Sequence, residues 1–510
     1  MKKRAARGVL ALLLLLATSF LPAHAAHVGV ERAEEAVKTW LARSDWNKKP
    51  FGEAGGDFCR IGMYDERGEV SADRDALFYV ACLDPLGLVM IPAEDLIEPI
   101  YAFIPESDEY WADDEEVVHG IIAADLCAKI RTVRRSAGLL EEETRYQKKW
   151  RALLDNGQAA GEPATTGMRV PPLLRTKWGQ DYPEDDEDFH VFSYYTPRNY
   201  PAGCTATAMA QVMRHFEHPR DGIGAKRFEI SVNGRWRRAW TRGGDGKGGP
   251  YDWTGMPDAP DEHTSIAPRK SVGALLYDVG IAIESEYEKE VTYAFVGDVA
   301  IQLVKTFQYG NTIGASLENG IDHESAALAI NPNLDAGIPL PVGIYCQTEP
   351  EGGDGHALVC DGYAYDMGTM YYHFNMGMDG LDDLWIAMPD DGLTGEVRLI
   401  DEIAYNIYPG KNHGEIVSGR VLDEDGKPLA GVSVNIRTRG FAETARSNER
   451  GIFAFTGVPS NRALELKAEA NGEVLATAAA RTRKSVPTYY EEGVSEMAVG
   501  NVWGILLRRK

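Results

Sequence analysis

Tyr200-Pro201-Ala202-Gly203-Cys204-Thr205-Ala206-Thr207-Ala208-Met209-Ala210-Gln211-Val212-Met213-Arg214-His215-Phe216 decides how the rest of this chain is read. A Gly-containing turn precedes a run of good helix formers, and Pro219 stops it. Cys204 is therefore expected at the N-terminus of a helix. Unpaired backbone N–H groups and the positive end of the helix dipole stabilise a thiolate there. The thiolate is the nucleophilic form of cysteine, so this address suits covalent catalysis. Position alone also fits a small buried residue, the commoner fate of a cysteine that opens a helix.

A thiol nucleophile needs a base and proton donor. The chain has 11 His. His215 and His218 follow Cys204 by eleven residues or more, about 16 Å along a helix, and are expected on the surface. His356 is different. Gly352-Gly353-Asp354-Gly355 precede it and Ala357-Leu358-Val359-Cys360 follow, so a tight turn delivers it to the start of an apolar strand. An imidazole there faces a cleft or is a satisfied histidine at a strand edge. Asn375, in Tyr371-Tyr372-His373-Phe374-Asn375-Met376-Gly377-Met378, is the first choice for orienting that ring. It also suits a turn before Gly377. Asp361 is less suited, because strand alternation points it away from His356. Donors for an oxyanion are expected from the Cys204 backbone N–H and from the side chain of Gln180.

Working outward, the 510 residues are 44% hydrophobic and 25% charged, which excludes collagen-like, coiled-coil and wholly disordered chains. Lys and Arg number 53 against 77 Asp and Glu, a net charge of −24, which argues against a nucleic-acid partner. A basic start (Lys2, Lys3, Arg4, Arg7), an apolar run Val9 to Phe20 and Ala23-His24-Ala25 read as a signal peptide over 1–25. That run is too short to span a bilayer, so an exported protein is expected, periplasmic, cell-surface or secreted, with no membrane span after signal removal. Residues 26–135 mix a helix with short strands. Residues 136–170 read as a linker with a processing site, and the small polar stretch Asp155 to Pro163 suits cleavage. Residues 171–410 mix helices and strands without regular alternation, which predicts an α+β fold. Residues 414–510 carry short strands with Gly turns, which predicts a small all-β sandwich, dispensable for chemistry, that serves spacing or attachment.

Six cysteines are too few for a disulfide scaffold. Cys346 and Cys360 either pair across strands or stay as buried thiols, and Cys59 with Cys82 is another possible pair. No C-x-x-C, H-E-x-x-H or phosphate-cradling loop occurs, so neither a metal nor another cofactor is expected.

Gly203 to Met213 with His215 and Pro219 resembles the active-site helix of the streptopain family of papain-like cysteine peptidases. Gly355-His356-Ala357-Leu358-Val359-Cys360-Asp361-Gly362-Tyr363 resembles that family's histidine strand, and Leu173-Leu174 with Lys177-Trp178-Gly179-Gln180 its oxyanion-glutamine segment. The order Gln180, Cys204, His356, Asn375 also fits. The resemblance implies a papain-like catalytic domain over 171–410, preceded by an inhibitory propeptide over 26–135. Residues 414–483, more loosely 414–510, resemble a carboxypeptidase-regulatory-like domain. The implied activity is that of an endopeptidase made as a zymogen, with protein or peptide substrates. Cys204 attacks, His356 holds the ion pair, Gln180 stabilises the oxyanion and Asn375 orients His356. Gly355, Met376 and Gly377 are expected to line the substrate cleft. The family shows Asn-Trp-Gly-Trp where this chain has Asn375-Met376-Gly377-Met378. That departure motivates a second reading, a binding protein on a degenerate peptidase scaffold. A thiol amidase acting on cell-wall peptides is a third.

Overall fold

A computed structural model of the chain describes residues 26–42, 57–65, 71–107, 117–136, 143–154, 166–181, 189–316, 323–349, 352–388, 399–410, 413–486 and 498–509. The expected signal peptide and the central part of the expected linker (155–165) lie outside the described residues.

The N-terminal part opens with α1 (Val30–Ala42), followed by β1 (Asp57–Tyr64), β2 (Phe78–Asp84), β3 (Leu88–Pro92) and β4 (Ala102–Ile104). α2 (Val117–Ser136), α3 (Arg145–Leu154) and β5 (Gly167–Val170) lead into the central part. There the order is α4 (Cys204–Phe216), β6 (Arg227–Val232), β7 (Arg235–Trp240), α5 (Ile266–Ala282), β8 (Glu286–Tyr287), β9 (Thr292–Tyr293), α6 (Val296–Lys305), β10 (Tyr309–Ser316) and α7 (His323–Asp335). The antiparallel strands β11 (Leu340–Glu349), β12 (Gly352–Asp366), β13 (Thr369–Asn375), β14 (Leu384–Ala387) and β15 (Ile400–Pro409) complete it. The fold is α+β, as the irregular mixture of patterns predicts.

The N-terminal and central parts share one sheet, ordered β1-β2-β3-β4-β14-β13-β12-β11-β15-β10, with β5 added on β12. The join is β4 against β14, Phe103 opposite Trp385 and Ala102 opposite Ile386. Period-two alternation builds both faces. Phe78, Val80, Leu88 and Met90 point into a core shared with Ile121, Ile122 and Leu126 of α2 and with Val342, Ile344, Leu358 and Met376. Tyr79, Ala81, Val89 and Ile91 point the other way, against Trp40 of α1, Trp150 of α3, Tyr371 and Trp385. The linker expected over 136–170 is thus structured at both described ends. The Trp150 indole N–H donates to the Ile97 carbonyl at 3.1 Å, Lys149 pairs with Glu98 at 2.7 Å, and β5 is laddered to Tyr363–Tyr365.

The C-terminal part is the expected sandwich. β16 (Glu415–Leu422), β17 (Ser433–Thr438), β18 (Phe441–Arg446), β19 (Ile452–Val458), β20 (Ala463–Ala470), β21 (Glu473–Arg481) and β22 (Val502–Arg508) form sheets of order β19-β16-β22 and β18-β17-β20-β21. Val417, Val434, Ile436, Phe453, Leu464 and Leu466 fill the space between them. Buried polar groups bond the sandwich to α7. Ser418 donates to Asp335 at 2.7 Å, and the Asn501 amide donates to the Leu328 carbonyl at 3.1 Å.

Cys59, Cys82, Cys127, Cys204 and Cys360 are free thiols, so the Cys59–Cys82 pairing is not formed. Cys360 stands opposite Leu340, and Cys346 opposite Asp354, at the far end of the β11–β12 ladder. That register excludes the alternative Cys346–Cys360 bridge, which needs Cα atoms about 4.4–6.8 Å apart.

Candidate active site

Cys204 is the first residue of α4, as the turn-then-helix pattern predicts. The preceding Gly203 has φ +91°, and a Cβ there would lie 3.0 Å from the Thr292 carbonyl oxygen. Glycine is the residue that takes this conformation without strain, and it brings the chain sharply into the helix. From Thr205 to Met213 every residue of α4 is buried, so the helix is a core element that fixes the thiol's place. The helix stops at Glu217, whose left-handed conformation lets its N–H reach back to the Arg214 and Met213 carbonyls.

β12 brings His356 to this helix start. Burial pushes the Cys204 thiol up, but the hydrogen bond and charge of His356, with the Ala357 N–H and the Thr205 hydroxyl, outweigh it and hold the thiol at about 7, down from 9.0. His356 is 7% exposed and stands opposite Ile344 of β11. Its Nε2 lies 2.7 Å from the Met376 carbonyl oxygen, which leaves Nδ1 to face Cys204.

The expected orienting contact from Asn375 is therefore corrected. The acceptor for His356 is a backbone carbonyl one residue on, and the Asn375 side chain is engaged elsewhere. Asn375 Oδ1 accepts from Gln211 Nε2 at 2.7 Å and from the Gly377 N–H at 3.2 Å. Its Nδ2 donates to the Thr176 carbonyl at 3.1 Å and to Asp383 Oδ2 at 3.3 Å. The cause lies in the turn that follows β13. Gly377 takes φ +69°, and a Cβ there would lie 3.2 Å from the Thr207 side chain of α4; the turn presents the Met376 carbonyl rather than the Asn375 amide to the histidine. Met376 is fully buried in the core beside Leu358 and Ile344, so its side chain fills space and does not line an open cleft.

Gln180 is buried, and its Nε2 donates to the Met378 sulfur at 3.9 Å, a weak acceptor. Its carbonyl accepts from Ala202 N–H at 2.9 Å, and the Gly179 carbonyl accepts from the Thr207 hydroxyl at 3.1 Å. These bonds stitch the 178–180 segment to the first turn of α4. Asp181 takes the Val191 and Ser193 N–H groups at 2.8 and 2.7 Å and so anchors the next loop.

Asp361 is occupied by His373, Nδ1 to Oδ1 at 2.6 Å, and does not serve His356. His215 and His218 sit away from the pair as expected, but both are half-buried, each on a backbone carbonyl, Gly337 and Gln308. Gly355 lies on β12 opposite Tyr345, next to His356. The residues missed by sequence reasoning are Thr176, Gln211 and Asp383. Gln211 was within reach, since it follows Cys204 by seven residues, two helical turns, on the same flank. Among the described residues, no group of three or more His, Cys, Asp or Glu is placed to hold a metal ion.

Tyr293 and Phe295 are 58% and 68% exposed, and the segment that carries them is tied to the start of α4, where the Thr205 hydroxyl donates to the Ala294 carbonyl and the Thr292 hydroxyl to the Pro201 carbonyl. Tyr345 is exposed beside Ile344, the strand partner of His356.

Residues 178–386 match the model of the peptidase C10 family, and residues 416–488 that of the carboxypeptidase regulatory-like domain. The chain is similar to the thiol protease/hemagglutinin PrtT of Porphyromonas gingivalis, 26% identical over 233 residues, which is 45% of this chain and 24% of that protein. It is 25% identical to streptopain of Streptococcus pyogenes over 189 residues, 36% of this chain and 44% of that protein. The chain thus spans less than half of the length of these curated relatives. Among solved structures, a fragment of Prevotella intermedia prointerpain A superposes over 68% of this chain and 99% of its own at 20% identity and a TM-score of 0.48. Residues 178–386 thus carry the match to the peptidase C10 family, that of streptopain and PrtT, and residues 416–488 the match to the carboxypeptidase regulatory-like domain.

Proposed function

We propose that this chain is an exported cysteine endopeptidase, made as a precursor that its own N-terminal part holds latent. The observation that carries the reading is the Cys204 thiol at a helix N-terminus, hydrogen-bonded to His356 and held at about 7. Paired this way, a large share of the sulfur is thiolate at neutral pH, and the imidazolium beside it holds the proton that the leaving group needs.

The reaction runs in two halves. Cys204 Sγ adds to the peptide carbonyl carbon, and the carbonyl electrons move onto oxygen. The Cys204 N–H and the Gln180 amide donate to that oxyanion. As the C–N bond breaks, His356 gives its proton to the amine. Water, deprotonated by His356, then releases the acyl group as a carboxylic acid and restores the thiol. Asn375 acts on His356 through one peptide unit. Its Oδ1 takes the Gly377 N–H, whose own carbonyl partner, Met376 C=O, accepts from the imidazole. Hydrogen bonds in such a chain polarise one another. The exposed rings of Tyr293, Phe295 and Tyr345 offer apolar surface for a protein or peptide substrate.

The N-terminal part acts as the intramolecular inhibitor. Glu106 reaches Lys177 at 2.6 Å, ahead of Gln180, and His119 reaches Asp382 at 3.4 Å, beside the turn that carries Met376. The degenerate-scaffold reading is motivated by Met376 and Met378; against it, Met376 meets His356 through its backbone carbonyl. The test is labelling with a thiol-directed epoxide peptide together with casein hydrolysis after removal of the N-terminal part. Cys204 is expected to be labelled, and Cys204→Ala is expected to lose label, hydrolysis and self-cleavage. Casein turnover by Cys204→Ala refutes the assignment. Label without turnover of casein, but with turnover of peptidoglycan fragments, favours the amidase.

A further inference from the structure

The carbonyl that takes His356 is neutral and sits in a turn, so something must hold that turn still. Two bonds from one side chain do so. Asp383 Oδ1 accepts the Met376 N–H at 2.8 Å, and Asp383 Oδ2 accepts Asn375 Nδ2 at 3.3 Å. The same carboxylate thus grips the backbone and the side chain on either side of the peptide that precedes the orienting carbonyl. Around it the network is closed. The Thr176 hydroxyl donates to Gln211 Oε1 at 2.7 Å, and Gln211 donates to Asn375 at 2.7 Å. Gln211 lies on α4, so the helix that carries the thiol and the turn that carries the imidazole's acceptor are tied through Asn375 and Asp383.

We propose that Asp383 is a positioning residue for the Cys204–His356 pair, holding the Asn375–Gly377 turn so that the Met376 carbonyl meets His356 Nε2. This rests on reading Cys204 and His356 as the reacting pair. Asp383 does not touch substrate and acts only through the turn. A carboxylate suits the task because it offers acceptors in two directions and no donor, which matches a backbone N–H and an amide NH2. Buried charge needs such partners. Burial pushes the Asp383 carboxyl up to about 7, His373 and the Met376 N–H pull it down, and Asp361 and Glu106 push it up. Glu106 belongs to the N-terminal part, and so does His119, which pairs with the neighbouring Asp382. Departure of that part would remove a repelling carboxylate from Asp383 and leave the ionised, gripping form better stabilised.

The experiment uses the full chain and follows iodoacetamide alkylation of the Cys204 peptide by mass spectrometry from about pH 5 to 9, which separates it from the other thiols. Asp383→Asn keeps the volume and one acceptor but sets an NH2 against Asn375 Nδ2. The wild-type midpoint is expected near 7. In Asp383→Asn the midpoint should rise toward that of a free thiol, with alkylation slowed about threefold or more at pH 7, where Asp383 is partly ionised in the wild type, the scale of one lost hydrogen bond. Asp382→Asn, which removes the neighbouring charge without touching the turn, should leave the midpoint in place. Three results overturn the proposal: a wild-type profile in Asp383→Asn, an unchanged midpoint with only a smaller reactive fraction, or an equal shift in Asp382→Asn. A wild-type chain whose Cys204 titrates like a free thiol overturns the reacting pair as well.

Discussion

A thiol at a helix start and a histidine at a strand mouth are both common, and neither is catalytic by itself. What distinguishes Cys204 and His356 is that each supplies what burial takes from the other. Burial opposes the thiolate, and His356 reverses that opposition. The Gln180 carbonyl is bound by the Ala202 N–H just ahead of the helix, and the adjacent Gly179 carbonyl by the Thr207 hydroxyl of its first turn, so the Gln180 amide can donate to a developing oxyanion without a large rearrangement. Among the described residues that amide donates to the Met378 sulfur, a partner easily exchanged for an oxygen carrying charge. Gln180→Ala is therefore expected to lower kcat about 100- to 1,000-fold while changing KM little. Steady-state kinetics on a peptide substrate check this. A fall confined to KM would place Gln180 in substrate binding instead.

At the scale of elements, the join between β4 and β14 matters most. An N-terminal part bound by side chains alone would leave once its linker was cut. This one continues the sheet through Phe103 and Ala102, and the Tyr371 hydroxyl adds a bond to the Ile100 carbonyl at 2.6 Å. Its α2 and α3 bury apolar faces in cores that also hold Met376, Tyr371 and Trp385. A chain nicked within 155–165 is expected to run as one species on gel filtration in native buffer. Casein hydrolysis is expected to appear only when the N-terminal fragment is stripped or digested. Separation of the two fragments in native buffer would contradict this. Within the connector expected over 136–170, α3 docks on the N-terminal part through Trp150 and Lys149. Trp150 and Lys149 look like residues of a solvated charged helix until the surface that receives them is known.

Across the whole molecule, buried carboxyl groups set the response to pH. Burial raises Asp335, between α7 and the sandwich, to about 7, and Asp278, which holds the Arg242–Gly243 backbone, to about 6. With Asp383 at about 7, each has a folded-state value above the unfolded 3.8. The stability these groups contribute is full below about pH 4 and is lost as pH rises through 6 to 7. The raised His373 acts in the same direction, and Asp382, lowered through His119, acts in the opposite one. A net charge of −24 adds repulsion as carboxyl groups ionise. The thermal midpoint is expected to fall between pH 5 and pH 8, while Cys204 alkylation rises over the same range. A midpoint that climbs with pH would show that carboxylates with lowered values dominate.

The order of residues alone determined the address of the Cys204 thiol, because a glycine turn, a run of helix formers and a stopping proline are local events. It also determined the strand that carries His356 and the short-strand pattern of the sandwich. Tertiary structure decided which oxygen meets the imidazole. Asn375 and Met376 are adjacent in sequence, and only the path of the turn at Gly377, packed on Thr207 and gripped by Asp383, selects the carbonyl over the amide. Hydrogen-bond partners far apart in the chain follow from packing, which no local pattern encodes.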